Sequence, residues 1–344
     1  MNKKPFGLDI GATMIKLVSL SKEGNSFGFN SSIIAPTPVK GMMSESPLDE
    51  EEMAQAIRKS VNDAGISGDR VNVALPENQV YTKVLEMPAL SDNELKSAIY
   101  WEAEQYIPVP LENITLAWNI LKKPEQSNPT EKMQVLMVGA PTMLVNKYQR
   151  VISIAGLTIN AMETEILSTT RALVPNESLP TTFIISIGAV STSFAIVSKG
   201  VMVFTYSMSI GGAAINRAIS VDLNLSPAQA EEYKKAYGFS DKSLGGKIGK
   251  ATEPILGSIL QEVKKTIAFF TQKTKNEDPI RQILLSGGTA KLPGIDVYFA
   301  NNSGIETATA NPWKSLSSQE VPKEILDNAP DYTIAVGLAM RDYE

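Results

Sequence analysis

The chain has 344 residues, of which 43% are apolar and 20% charged, and a net charge of −5. That suits two globular domains with sizeable cores, and the absence of a dense basic cluster gives nucleic acid no electrostatic footprint. It has no Cys and no His, which excludes disulfides, thiol catalysis, Cys- or His-based zinc sites and a His general base, so carboxylates, Lys, hydroxyls, backbone amides or a bound metal must carry any chemistry.

The N-terminus runs into a strand without a signal-peptide core, and no stretch of 18 apolar residues occurs. The expectation is a cytoplasmic, soluble protein without direct membrane insertion. Phe6–Leu20, FGLDIGATMIKLVSL, reads as a strand, a tight turn at Asp9–Thr13 and a second strand. Residues 26–35 form a third strand, ended by Pro36 and Pro38. A helix follows, opened by the acid run Asp49–Glu52 and closed at Gly65. Val71–Leu75 alternates as a strand, so the opening order is β-β-β-α-β.

Val80–Met87 is strand-like, and Ser91–Glu94 has capping-box spacing for a helix that Ile107-Pro108 stops. Leu95, Ile99 and Ala103 share its apolar face, while Tyr100 and Trp101 project off it. Those two aromatics either pack on a neighbouring subdomain or form a partner surface. Two more strands, at 114–121 and 134–139, flank a polar loop expected to be exposed and mobile.

A strand at 158–161, a helix at 163–173 and a crossing linker precede a second copy of the opening design, IISIGAVSTSFAIV at Ile184–Val197. Gly211-Gly212 opens a helix, Ser226–Gln229 is another capping box, and a long amphipathic helix runs from about Ile255 to Phe270. Ile283–Leu285 is a buried strand, Ser286–Thr289 its turn, 291–300 a helix with Pro293 and Gly294 in its first turn, and 331–341 the last helix.

The duplicated hairpins suggest two related lobes sharing a cleft. Gly11-Ala12-Thr13 and Gly188-Ala189-Val190-Ser191-Thr192 are candidate phosphate-binding turns, where Gly admits an anion to the backbone amides and hydroxyls add donors. Lys16 adds charge or is a solvated strand residue. Gly287-Gly288-Thr289 and Gly211-Gly212 are further ligand turns or structural ones. Glu231 and Lys234 are a surface ion pair or a ribose- and base-facing pair. Asp9 either shapes the turn or holds Mg²⁺ through water.

These residues resemble the actin-like ATPase superfamily. Leu8–Gly11 and Ile185–Gly188 look like its two phosphate motifs, Leu285–Gly288 its adenosine motif, and Ala335–Ala339 its second connecting helix. Ser209–Gly212 with Asn216, and Ala230–Lys234, resemble the nucleotide-contacting stretches of the FtsA branch. The whole chain is similar to the PilM family of type IV pilus assembly, on GLDIGATMIKLVSL, Glu86-Met87-Pro88 and the stretch Trp101–Pro108. The FtsA branch usually adds a linker and amphipathic membrane helix; ending at Glu344 favours the PilM side.

The resemblance implies a two-lobed, duplicated ribonuclease H-like α/β fold with an FtsA-type insertion in the first lobe. Its divisions would be a first-lobe core at 1–79, the insertion at 80–157, a return helix and linker at 158–180, a second-lobe core at 181–212 and 281–328 around an outer subdomain at 213–280, and a C-terminal helix at 329–344. It implies ATP and Mg²⁺ between the lobes. It also implies docking of the cytoplasmic N-terminal peptide of a PilN-like inner-membrane protein, which would hold the chain at that membrane beside the PilN–PilO complex and the assembly motor, with self-association open. The departure is Ser186, where the family pattern has Asp. Ser is no base at neutral pH without an activator, so hydrolysis is expected to be slow or absent. An active ATPase, a small-molecule kinase and a filament-forming protein are the alternatives.

Overall fold

The computed structural model describes residues 4–24, 26–124, 132–176, 178–239, 246–316 and 321–343. The tip of the polar loop expected to be mobile, at 125–131, lies outside them.

In the first lobe, β1 (Phe6–Ile10), β2 (Met14–Glu23) and β3 (Ser26–Pro36) form an antiparallel meander. Helix α1 (Pro47–Asp63) then crosses to β4 (Arg70–Leu75), which lies parallel to β1, and β8 (Thr158–Thr164) extends the sheet in the order β3-β2-β1-β4-β8. The second lobe repeats this plan. Strands β9 (Thr182–Ile187), β10 (Thr192–Ser198), β11 (Val201–Met208), β12 (Gln282–Ser286) and β13 (Glu306–Thr309) run in the order β11-β10-β9-β12-β13. The two lobes expected from the repeated hairpin are present. Strand β13, with the polar sequence ETAT, gave no apolar signal and was missed.

The insertion lies between β4 and β8. Strands β5 (Tyr81–Met87), β6 (Ile114–Lys122) and β7 (Met133–Pro141) form a sheet of order β5-β7-β6, with α2 (Asp92–Tyr106) laid on one face through Leu95, Ile99 and Ala103. The Ser91–Glu94 capping box that starts α2 is formed. The other face, through Leu136, Val84 and Val138, packs on Ile184, Ala195 and Val197 of the second lobe. A Lys273–Glu86 ion pair of 2.5 Å lies on this same side.

Two boundaries differ from the expectation. Helix α3 (Thr142–Ile154) puts Tyr148, Val151 and Ile152 into the first-lobe core with Met53 and Ile57 of α1, so packing joins it to the lobe rather than to an insertion drawn at 80–157. Helix α8 (Ile295–Ser303) begins after Pro293-Gly294, because Gly294 has φ of +83° and cannot be helical. Helices α5 (Gly212–Leu223), α6 (Pro227–Tyr237) and α7 (Lys247–Lys273) share one continuous core with β9, β10 and β12.

After the short helix α9 (Lys323–Leu326), helix α10 (Thr333–Met340) crosses α4 (Glu165–Leu173) beneath the two sheets. Their approach requires glycine: a Cβ on Gly337 would lie 1.9 Å from the carbonyl oxygen of Ser168. Arg171 ties the crossing, donating to Glu163 at 2.5 Å and to the carbonyl of Gly337 at 3.1 Å.

Candidate nucleotide site

Strands β1, β4 and β8 in one lobe, and β9, β12 and β13 in the other, are parallel, and residues at or just after the C-terminal ends of β1, β4, β8, β9 and β12 line one cleft. That is where open α/β sheets take ligands. The cleft has a volume of about 1670 Å³.

The two hairpin turns close alike. The amide of Gly11 donates to the carbonyl of Met14 at 3.0 Å, and that of Gly188 to Ser191 at 2.9 Å. The tip amides, Ala12–Thr13 and Ala189–Val190, have no acceptor among the described residues. Four free amides on two facing turns are what an anionic chain of phosphates requires.

The cleft brings together Asp9, Gly11, Ala12, Thr13 and Lys16 from the first lobe. From the second come Gly188, Ala189, Val190, Ser191, Gly212, Asn216, Glu231, Lys234, Gly287, Gly288 and Thr289. Two nominated residues do not line it. Thr192 is buried and its hydroxyl donates to the carbonyl of Ile210 at 2.7 Å. Gly211 supports the turn, since a Cβ there would meet the carbonyl oxygen of Gly188 at 2.6 Å. The amides of Gly212 and Ala213 donate to the carbonyls of Gly188 and Ala189 at 2.9 and 2.8 Å, so the start of α5 anchors the Gly188 turn instead of offering those amides to a ligand.

Lys16 is no solvated strand residue. It stands opposite Asp9 in the β1–β2 register and donates to its carboxylate at 2.9 Å. Burial works against its charge, but the attraction of Asp9 and the hydrogen bond outweigh it and raise its pKa. In the second lobe the matching cross-strand pair is Ser186 and Ser193. The repeat therefore loses both members of the ion pair, not the carboxylate alone.

Glu231 accepts from Lys234 at 2.7 Å and also from the amide of Asn216. Burial opposes ionisation, yet Lys234, Asn216 and Lys235 together hold its carboxyl down at about 2. Lys234 is itself buried. The pair is thus part of the cleft wall, and Oδ1 of Asn216 is buried without a partner among the described residues, a polar atom left for a ligand.

The structure adds residues that the sequence reading did not nominate. Glu165, the first residue of α4, reaches the cleft beside Asp9 and Lys16. Its carboxylate accepts from the amide of Glu77 at 3.2 Å, and the carboxylate of Glu77 accepts from the amide of Ile166 at 3.3 Å. The two glutamates thereby cap each other's segments, tying α4 to the chain entering the insertion. Burial, then the charge of Asp9, pushes Glu165 up to about 8, and burial raises Glu77 as well. A carboxylate in a first helical turn usually serves the helix dipole, so nothing local marks Glu165. Only its place at the end of β8 could have done so. Tyr100 and Trp101 are 50% and 61% exposed, so they do not pack on a neighbouring subdomain.

Duplicated sheets with facing glycine turns at their C-terminal ends define an actin-like nucleotide-binding fold. A family model described as type IV pilus assembly protein PilM matches residues 7–343. The chain belongs to that family. Its structure is similar to that of the "PilM-PilN type IV pilus biogenesis complex", with a TM-score of 0.86, 26% identity and full coverage of both chains. The ethanolamine utilization protein EutJ from Carboxydothermus hydrogenoformans shares the fold at a TM-score of 0.59 and 17% identity, over 98% of this chain and 89% of that one. The cell division protein FtsA of Bacillus subtilis is 23% identical, over 86% of this chain and 75% of its own. Among the described residues, no helix is long and apolar enough to cross a membrane.

Proposed function

We propose that this chain is a cytoplasmic ATP-binding adaptor of type IV pilus assembly with slow or absent hydrolysis. One observation carries the reading: the two facing turns keep amides with no acceptor among the described residues, while the charged pair Asp9–Lys16 of one lobe is Ser186–Ser193 in the other. The cleft fits a nucleotide in size, in its free amides and in the buried oxygens of Asn216 and Ser286 that have no partner among the described residues. Asp9 would hold Mg²⁺ through water, and the cation when bound would neutralise phosphate charge. The turns grip and orient the phosphates; Glu231, Lys234 and Asn216 would face the nucleoside.

The partner follows from the solved PilM-PilN complex. A PilN-like N-terminal peptide would dock at the first lobe and insertion, and the exposed Tyr100 and Trp101 are suited to anchoring a protein partner, whether that peptide or the PilO and motor components. The chain would then sit at the inner membrane without entering it.

Glu165 favours a second reading, an active ATPase, because it supplies a carboxylate near the phosphate turns. With its carboxyl pushed up to about 8 it is mainly protonated at neutral pH, so only a minor fraction could accept a proton. Phosphate release with ATP and Mg²⁺ decides the matter. The expected rate is at background, with a rise in Ser186→Asp; brisk release by the native chain, abolished in Glu165→Gln, would make it an enzyme.

A further inference from the structure

The end of the second-lobe sheet carries a row of hydroxyls. The register aligns Ser286 of β12 with Ser186 of β9, and Ser186 with Ser193 of β10. All three line the cleft. Ser286 is 1% exposed, and its Oγ has no hydrogen-bond partner among the described residues. A buried hydroxyl without a partner costs free energy unless something else satisfies it. Two of the cleft carboxylates, Asp9 and Glu165, belong to the first lobe, and Glu231 of the second lobe is paired with Lys234. At the ends of β9 and β12 and the start of β10 the second lobe presents neutral hydroxyls that can donate.

This arrangement changes what a phosphate tail meets. A carboxylate at the end of β9 would repel it and need a cation between them. Serine hydroxyls can donate to phosphate oxygens directly, with no charge to neutralise. We propose that Ser186, Ser193 and Ser286 form a phosphate-binding row, which lets the cleft hold a nucleoside triphosphate from the second lobe without a bridging divalent cation. The proposal rests on the nucleotide reading above and specifies how the phosphates are held. It confines any Mg²⁺ to the first-lobe side and makes nucleotide affinity nearly indifferent to it.

The test is the affinity of the full chain for a fluorescent ATP analogue, in excess EDTA and in excess Mg²⁺. For the native chain the two affinities should differ by less than about tenfold. Ser186→Asp should lose roughly 100-fold in EDTA, from like-charge repulsion at close range, and recover with Mg²⁺. Ser286→Ala should bind about tenfold more weakly in both buffers, through loss of a hydrogen bond to a charged group. Its thermal midpoint should not fall, because the removed hydroxyl has no partner among the described residues. The proposal is overturned if the native chain loses as much affinity in EDTA as Ser186→Asp does. It is overturned equally if Ser286→Ala binds like the native chain in both buffers. Failure of the native chain to bind nucleotide in either buffer would instead remove the nucleotide reading and this proposal with it.

Discussion

Gly337→Ala is expected to destabilise the protein by about 3 kcal/mol or more, at the upper end of what overpacking costs. Helix propensity alone points the other way, since Ala is favoured over Gly in a helix interior by about 1 kcal/mol. Packing should win because the added carbon would lie 1.9 Å from the Ser168 carbonyl oxygen and 3.0 Å from its Cα. Those are backbone atoms, so relief requires α4 and α10 to separate. Separation would strain the Arg171 contacts with Glu163 and the Gly337 carbonyl, and pull α10 from Gly7 of β1, where a Cβ would meet the Ala335 carbonyl oxygen at 2.1 Å. The check is the thermal midpoint, which should drop by several degrees. A midpoint unchanged or raised would show that the helices part without cost.

The second large effect is a pH dependence that runs against the usual direction for carboxylates. Glu165 is pushed up to about 8 in the fold, by burial first and by Asp9 second. Between its ordinary value and about 8 the folded form keeps a proton that the unfolded chain has lost. The stabilising contribution is therefore complete below about pH 4.5 and disappears as pH rises through 8. Glu77 is raised too and adds to the same slope. Glu231, held down at about 2, acts oppositely and only on the acid side. Glu165→Gln stays neutral throughout and keeps an acceptor for the Glu77 amide. At about 1.4 kcal/mol per pKa unit, the variant should be on the order of 3 kcal/mol more stable than the native chain at pH 8 and nearly equal to it at pH 5. Urea midpoints in EDTA across this range test it, and parallel curves for the two proteins would refute it.

The parts of the fold that are periodic or repeated were legible in the sequence. The two hairpins, both capping boxes and the long helix carry strong local signals, and the duplication pointed to the cleft. The site turns were legible for the same reason, because each turn follows its strand directly. What escaped was whatever depends on register or on distant packing. Strand β13 is polar and exposed along much of its length, and pairs with β12 without an apolar face to advertise it. The partnership of Lys16 with Asp9 exists only once the strands are in register, and so does the replacement of that pair by Ser186 and Ser193. Glu165 and Glu77 lie 88 residues apart and meet through the fold alone. Thr192 and Gly211 look like ligand donors in sequence, but tertiary hydrogen bonding and close packing give them structural work.

The adaptor account rests most directly on recognition of the membrane partner. The decisive measurement is a calorimetric titration of the full chain with a synthetic peptide of the PilN-like partner's cytoplasmic N-terminus, with and without ATP. The account predicts saturable binding in at least one nucleotide state; no binding in either state would contradict it.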